Sequence, residues 1–413
     1  MRRAEGGTRH LYHRSIVQPQ EPAFWVFVAF VIYGAVRIVE TLSGLAGLST
    51  SGWALAWLML GLYALPASVL IYGLDLYEHE PISLALGAVA WGAFAATALS
   101  IDAAGWDEVV VAVLGTDLAS RWAPAIVAPI VEETMKGVGV VLLYLIARDE
   151  LDDLMDGFVY GALCGLGFAI VEDVAYFSAA FGGGSADVLS GFAVRVIASG
   201  LYGHVLYTGL VGMGIGYVVT RRQLVPLRRR LGVATALALT GLGGHALWNA
   251  PLFSSLMPVE PIEGAEWVAF VAVVALKGLP LLVVVVLAIR LAHRREHRWL
   301  EAALTLETGG EGITMAELRT LADPRARREA VRAMRRRAGP AAARLLARLQ
   351  REQVHLAMVA SRVDLAGDDC LESQRERCRS LRAALAAIPG SASATRDDGA
   401  GVAGRAGIEE PDR

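Results

Sequence analysis

The sequence predicts an all-α fold, a polytopic bundle of about eight transmembrane helices followed by a helical and disordered cytoplasmic C-terminal tail. The composition supports this fold class first: of 413 residues, 55% are hydrophobic and 19% are charged, and the mean hydropathy is +0.47. This is more apolar than an ordinary soluble domain. The apolar residues are gathered in segments long enough to cross a bilayer, and the arginines lie mostly on one side of these segments.

A helix needs about 20 mostly apolar residues to cross a bilayer. The segments that meet this length are residues 23–42, 53–74, 82–101, 122–147, 154–180, 190–220, 231–252 and 266–292. The first contains Arg37 and ends without a small-residue cleavage site, so we interpret it as a retained span and not as a signal peptide. The glycine-rich runs GALCGLGFA and GLVGMGIGY indicate helices that pack closely inside the bundle.

The placement of the arginines predicts the orientation of the chain in an integral membrane protein. With the N-terminus inside, the cytoplasmic segments hold Arg2, Arg3, Arg9, Arg14, Arg148, Arg221, Arg222, Arg228, Arg229 and Arg230. The opposite loops hold Arg121 and mostly acidic residues. We therefore expect both termini in the cytoplasm, with residues 1–21 as a cytoplasmic N-terminal segment and 22–297 as the eight-span domain.

The chain changes character at about residue 298. The pattern of apolar and charged residues over 298–388 predicts a cytoplasmic tail of short amphipathic helices. The end of the chain, 389–413, is rich in Gly, Ala, Ser and Asp, which is typical of a disordered segment. The arginine-rich run 325–337 is either a solvated helix face or a surface for anionic lipid headgroups. Cys370 and Cys378 lie in this tail, so we expect no structural disulfide there.

Ionisable residues fall within four consecutive predicted spans, although a charge near the bilayer centre costs about 2.5 kcal/mol or more. They are Glu132, Glu133 and Lys136 in the fourth span, Glu172 and Asp173 in the fifth, His204 in the sixth and His245, one turn before Asn249, in the seventh. Counted from the outer end of each span, the glutamates and histidines lie about 10–20 Å below the outer surface. We expect them to meet in one layer, with Lys136 in reach of both Glu132 and Glu133.

Histidines and carboxylates that converge from separate helices are suited to activating water. A zinc site would use three protein ligands and leave one position for a water whose pKa falls to about 7. Without a metal, a desolvated glutamate would act as general base while His or Asn stabilises the oxyanion. The sequence leaves both mechanisms open, as it does the choice of Glu132 or Glu133 as the base.

Two other functions are compatible with the same residues. Intramembrane Glu and His also build the proton relays of transporters, although no inverted repeat or pair of broken helices is evident. A proteolytically inactive membrane scaffold that recruits a partner through its tail is the second alternative. Asp156, Arg195 and Lys277 are interpreted as interfacial anchors, and the sequence predicts no nucleic-acid partner.

The motifs over residues 70–250 resemble the PrsW family of bacterial intramembrane proteases, which is related to the CAAX-processing and bacteriocin-processing proteases. IVEETMKG resembles the paired-glutamate motif of that family, LMDGFVYGALCGLGFAIVEDVAYF its second motif, and GHVLYTGLVGMGIGY and GGHALWN its two histidine-bearing helices. The segment DLYEHEPISLALGAVAWGAF, between the second and third spans, is also similar. The chain has Asp173 where the family usually has Asn, which leaves the role of position 173 undetermined.

The resemblance implies an endopeptidase in the bacterial plasma membrane that cleaves membrane-embedded proteins such as anti-sigma factors. It implies catalytic roles for Glu132, Glu133, Asn249 and Lys136. It implies metal-ligand roles, with Zn²⁺ as the metal where one is used, for His204, His245 and Glu172. We expect Asn249 to orient the substrate and Lys136 to tune the glutamates.

Overall fold

A computed structural model describes most of the chain. The described residues are 15–44, 49–76, 80–103, 105–148, 150–179, 181–198, 203–252, 265–308, 313–360 and 368–391. The predicted disordered end lies outside these residues from position 392 onward, and so does most of the predicted N-terminal segment 1–21. The described chain is helical and contains no β-strand, which confirms the all-α class.

The chain divides into two compact units, of which one comprises Tyr12–His293. Its helices begin with α1 (Pro22–Gly44), α2 (Thr50–Tyr72), α3 (Ile82–Asp102, with a π-helical segment at Trp91–Ala96), α4 (Trp106–Leu114) and α5 (Thr116–Ile146). They continue with α6 (Leu154–Ala179), α7 (Ser185–Phe192, followed by a π-helical segment at Ala193–Ala198), α8 (His204–Thr220), α9 (Leu227–Asn249) and α10 (Ala265–Leu306), within which the unit ends.

Six of the described helices are long and apolar enough to cross a membrane, namely α1, α2, α3, α6, α9 and α10. The predicted count of eight is therefore approximate. Helix α5 is 31 residues long, but Glu132, Glu133 and Lys136 lie within one turn of each other and lower its hydropathy. Helix α8 is apolar but only 17 residues long. The two helices that fall short are those that bring the paired glutamates and His204 to the bundle.

The predicted span 190–220 is not one helix. Helix α7 and its π-helical extension end at Ala198, residues 199–202 lie outside the described chain, and α8 begins at His204. Gly203 precedes it in an extended conformation, with φ −96° and ψ −155°. His204 therefore stands at the N-terminus of a helix, and not in the middle of a span as the apolar run indicated.

Helix α6 lies at the centre of this unit and is buried along almost its whole length. It packs on α8 through facing small residues, because a Cβ at Gly157 would stand 2.3 Å from the carbonyl oxygen of Gly212, and one at Gly161 would stand 2.3 Å from that of Thr208. Only glycine permits two helix backbones to approach so closely. The glycine-rich runs of the sequence thus form the α6–α8 interface, as predicted.

The other unit contains the described residues from Arg294 onward. Its described helices after α10 are α11 (Met315–Ala322), α12 (Pro324–Ala360) and α13 (Asp368–Ala386). Helix α12 consists of two helical stretches that meet at a kink at Gly339, where φ is +84° and ψ is 177°. Ion pairs Arg375–Glu307 (3.0 Å) and Arg382–Glu317 (2.7 Å) join helix α13 to the segments before α12.

Candidate active site

Helix α5 carries three charged side chains on adjoining faces. Lys136 Nζ lies 2.8 Å from Glu133 Oε1 and 3.1 Å from Glu132 Oε2. The side chains of Lys136 and Glu133 are 0% exposed, whereas that of Glu132 is 13% exposed. The spacings i,i+3 and i,i+4 place all three on one side of the helix. The predicted contact of Lys136 with both glutamates is therefore present.

His204, the first residue of α8, connects this group to helix α6. Its Nδ1 lies 2.8 Å from Lys136 Nζ, and its Nε2 lies 3.0 Å from Glu172 Oε2. A charged lysine only donates hydrogen bonds, so Nδ1 of His204 accepts. The ring proton is then on Nε2 and points to the carboxylate of Glu172.

His245, near the end of α9, binds the other side of the cluster. Its Nδ1 lies 3.1 Å from Glu133 Oε1, and its Nε2 lies 3.9 Å from Glu132 Oε2, which is too long for a hydrogen bond. Because a carboxylate only accepts, a neutral His245 carries its proton on Nδ1. The ring stacks on Tyr207 at 4.8 Å with an interplanar angle of 12°. Nε2 of His245 therefore faces Glu132 with a free lone pair.

The two adjacent glutamates have different environments. Glu133 accepts hydrogen bonds from Lys136, from His245 and, at 2.7 Å, from Thr208 Oγ1. Both of its oxygens are thus engaged in the core of the bundle. Glu132 accepts one hydrogen bond, from Lys136, and part of its side chain is exposed. Glu132 is the carboxylate that a water molecule or a substrate can reach.

Glu172 forms an outer layer of the cluster together with two neighbours. Arg195 donates to Glu172 Oε2 at 2.8 Å and to Asp173 Oδ1 at 2.5 Å. Arg195, which the sequence analysis placed at the membrane interface, thus pairs with two carboxylates of helix α6 from the π-helical segment that follows α7. Asp173 has a definite partner in this structure, which is the guanidinium of Arg195.

The predicted site residues meet with one exception. Glu132, Glu133, Lys136, Glu172, His204 and His245 are connected by the contacts above, although they come from four helices. Asn249 lies one turn beyond His245, and its side-chain amide donates to the carbonyl of Pro124 on α5 at 3.0 Å. Lys277 similarly donates to the carbonyls of Trp248 and Ala250, at 2.9 and 2.7 Å, at the C-terminal end of α9.

Sequence reasoning missed four side chains of the site. Thr208 and Tyr207 follow His204 by four and three residues, so the helical face that holds the histidine already indicated them. Phe168 lies with its ring centre 3.7 Å from Lys136 Nζ and covers the ammonium. Arg195 is the fourth, and no sequence pattern indicated it.

The donor set is chemically suited to a divalent metal. Glu132, Glu133, His204 and His245 each offer one ligand atom, and these atoms all lie within 4.8 Å of one another. Carboxylate oxygens and imidazole nitrogens are ligands that zinc prefers in catalytic sites. Each histidine also donates its second ring N–H to a carboxylate, as metal-bound histidines usually do. The residues present therefore fit a zinc ion.

Comparison with known proteins identifies the family. The model of the PrsW family intramembrane metalloproteases matches residues 80–291, just over half of the chain and the part that contains every residue of the cluster. Neither the curated proteins nor the solved structures gave a match. The family match agrees with the structure, which has apolar helices and a buried cluster of Glu and His within the matched range. This integral membrane protein is therefore a protease that belongs to the PrsW family of intramembrane metalloproteases.

Proposed function

We propose that this protease hydrolyses peptide bonds of membrane-anchored proteins, such as anti-sigma-factor-like substrates, with water activated at Glu132. The observation that carries the proposal is the cluster of two glutamates and two histidines from three helices, in which Glu132 is partly exposed and the other three are buried. Ionisable groups in this position are costly unless they have a function. We assign proteolysis to residues 22–297, which contain the whole cluster.

Glu132 is the better candidate for the general base. A base must accept a proton from water within hydrogen-bond reach, and it needs a free lone pair to do so. Among the described residues, Glu132 accepts a hydrogen bond from Lys136 alone, so its other lone pairs are available for water. Glu133, whose oxygens bind Lys136, His245 and Thr208, acts instead as the internal anchor that fixes His245.

The histidines and Asn249 then have supporting roles. His245 Nε2 carries no proton and points to the side of the cluster where Glu132 lies, so it is placed to accept a hydrogen bond from a water held between them. His204 Nδ1 lies on the same side and accepts from Lys136. Glu172 orients His204 through Nε2. Asn249, bonded to the carbonyl of Pro124, holds the end of α9 against α5 and so positions His245.

Glu132, His204 and His245 would hold a zinc ion if Lys136 withdrew from Glu132 and His204, with Glu133 and Glu172 orienting the two imidazoles. When bound, zinc lowers the pKa of water to about 7 and polarises carbonyl groups. In either case the chain's own residues position the water, fix both imidazole rings and keep the reaction apart from lipid.

Cleavage by purified variants tests this function. We expect Glu132→Gln to lower the rate at which a single-pass reporter substrate is cleaved in liposomes by about 10²–10⁴-fold, the usual contribution of a general base. We expect His245→Ala to lower it comparably. Glu108→Gln, an exposed acid on α4, is the matched control and should cleave like the unaltered chain. Unchanged cleavage by Glu132→Gln would refute the assignment.

A further inference from the structure

The ammonium of Lys136 lies among the donor atoms of the cluster. An ammonium group has three hydrogens, and Lys136 uses them on Glu132 Oε2, Glu133 Oε1 and His204 Nδ1, at 3.1, 2.8 and 2.8 Å. Three of the four residues that could ligate a metal thus already bind a cation, which is the ammonium group of Lys136. The side chain is completely buried, and Phe168 covers it at 3.7 Å.

The two histidines are arranged as in a metal site around this lysine. Each donates one ring N–H to a carboxylate, His204 to Glu172 outside the four-residue cluster and His245 to Glu133 within it. Each turns its other nitrogen inward. The inward nitrogen of His204 binds Lys136, so the ammonium takes the place that a metal ion would take on that imidazole.

The distances between donors are close to those of a zinc site. Glu132 Oε2 lies 3.7 Å from His204 Nδ1 and 3.9 Å from His245 Nε2. Donors around a tetrahedral zinc ion, each about 2.1 Å from the metal, stand roughly 3.4 Å apart. Movements of a few tenths of an ångström would satisfy a zinc ion, provided that Lys136 left. A doubly charged ion and an ammonium cannot share donors at these distances, because two cations a few ångströms apart repel strongly in a buried site.

We propose that Lys136 is the resident cation of this centre and excludes a metal from it, so that metal binding and the Lys136 contacts are mutually exclusive. The proposal rests on the proposed function in that the same donors serve hydrolysis. It assigns Lys136 a role beyond tuning the glutamates. In the state with Lys136 in place, the ammonium neutralises Glu133 and keeps Glu132 and His204 together without a metal.

Zinc binding to purified full-length protein in detergent, measured by competition with a chelating dye, tests the proposal. We expect weak binding by the unaltered chain and by Lys136→Arg, which keeps a cation. We expect Lys136→Met to bind one zinc ion at least about a hundredfold more tightly, because it leaves Glu132 and Glu133 without a counter-charge that a metal then supplies. His245→Ala introduced into Lys136→Met should abolish this binding.

The chain provides a matched control. Lys136 and Lys277 are its only two lysines, and Lys277 donates to backbone carbonyls of α9 and not to the cluster. Lys277→Met should bind zinc as weakly as the unaltered chain. Thermal unfolding is the second measurement, since zinc should raise the unfolding temperature of Lys136→Met and leave those of the unaltered chain and Lys277→Met unchanged.

Three results would overturn the proposal. One is equal zinc affinity of the unaltered chain and Lys136→Met, and another is the lack of His245-dependent zinc binding by Lys136→Met. Tight, His245-dependent binding by the unaltered chain overturns it even if Lys136→Met does not fold. None of these measurements uses a substrate, whereas the proposed function fails only if Glu132→Gln still cleaves, so the two failures are distinguishable.

Discussion

Arg195 and Glu172 form an ion pair in which Nη2 lies 2.8 Å from Oε2. The same oxygen lies 3.0 Å from Nε2 of His204, so Arg195 reaches the histidine through one carboxylate. Asp173 accepts a second hydrogen bond from the guanidinium, and the Tyr176 ring lies 3.8 Å from it. Arg195 therefore fixes Glu172 in the position from which it orients His204.

Loss of this arginine should impair catalysis without abolishing folding. We expect Arg195→Met to lower kcat by about 10–100-fold with little change in KM, because partners that orient an active-site histidine usually contribute that much. Arg195→Lys should recover part of the rate. Arg37→Met is the control, since Arg37 pairs with Asp102 at 2.9 Å outside the cluster. Equal cleavage rates for Arg195→Met and Arg37→Met would show that Arg195 does not position His204 through Glu172.

Close packing of α6 on α8 determines where His204 stands, which gives a second prediction. A Cβ at Gly165 would lie 2.3 Å from the carbonyl oxygen of His204, so Gly165→Ala must push the two helices apart. A displacement of about 1 Å at a catalytic group costs about a hundredfold in rate. We expect that loss in a cleavage assay of the folded variant.

The matched control for Gly165 lies on the helix of the second histidine. Gly243 is two residues before His245, is exposed and would have nothing within 4 Å of an added Cβ. Gly243→Ala should therefore cleave normally and gain about 0.5–1 kcal/mol in stability from the better helix former. If Gly165→Ala cleaved as well as Gly243→Ala, the interface would not position His204.

Much of the fold and the composition of the site followed from the sequence. The length of an apolar segment indicates whether it can cross a bilayer, and a run of small residues indicates where two helices pack closely. Both features can be recognised within a single segment of the sequence. The contacts of Lys136 with Glu132 and Glu133 followed from helical spacing alone. The meeting of the glutamates and histidines was expected from their positions within consecutive apolar segments, although the depth counted for His204 assumed that residues 190–220 form one helix.

Other features depended on contacts between distant segments. The hydropathy of residues 190–220 depends on their composition and not on their backbone conformation. It therefore did not predict that a new helix, α8, begins at His204. The pairing of Arg195 with Glu172 requires the course of the chain after α7. The hydrogen bond from Asn249 to Pro124 depends on how α9 meets α5, and a pattern of spacing within α9 cannot contain it.

The two cysteines of the tail should differ in reactivity. Cys378 is completely buried, and this burial raises the pKa of its thiol to about 12, so only about one thiol in 10⁴ is ionised at pH 8. Cys370 is partly exposed. We expect maleimide at pH 8 to label Cys370 in the native protein and Cys378 only after denaturation, as measured by peptide mass spectrometry.

The direction of the Cys378 pKa shift determines how the labelling rate of this thiol depends on pH. Because the raised pKa keeps the Cys378 thiol protonated, its slow reaction should speed up about tenfold per pH unit between pH 7 and 9. Cys370→Ser removes the fast reaction and makes the slow one measurable. Rapid native labelling of Cys378 would show that helix α13 opens readily or packs differently in solution.

The unequal burial of the paired glutamates predicts unequal stability of their variants. Glu133 is fully buried against Lys136, so Glu133→Gln leaves a buried ammonium short of its closest counter-charge and should lower the free energy of unfolding by about 3–5 kcal/mol. Glu132 is 13% exposed, and Glu132→Gln should cost only about 1 kcal/mol because solvent partly screens its pair. Denaturant unfolding in detergent measures both, with the exposed Glu108→Gln as baseline. Equal destabilisation by the two variants would mean that Glu132 is as much a part of the internal anchor as Glu133, and the base would then have to be sought elsewhere.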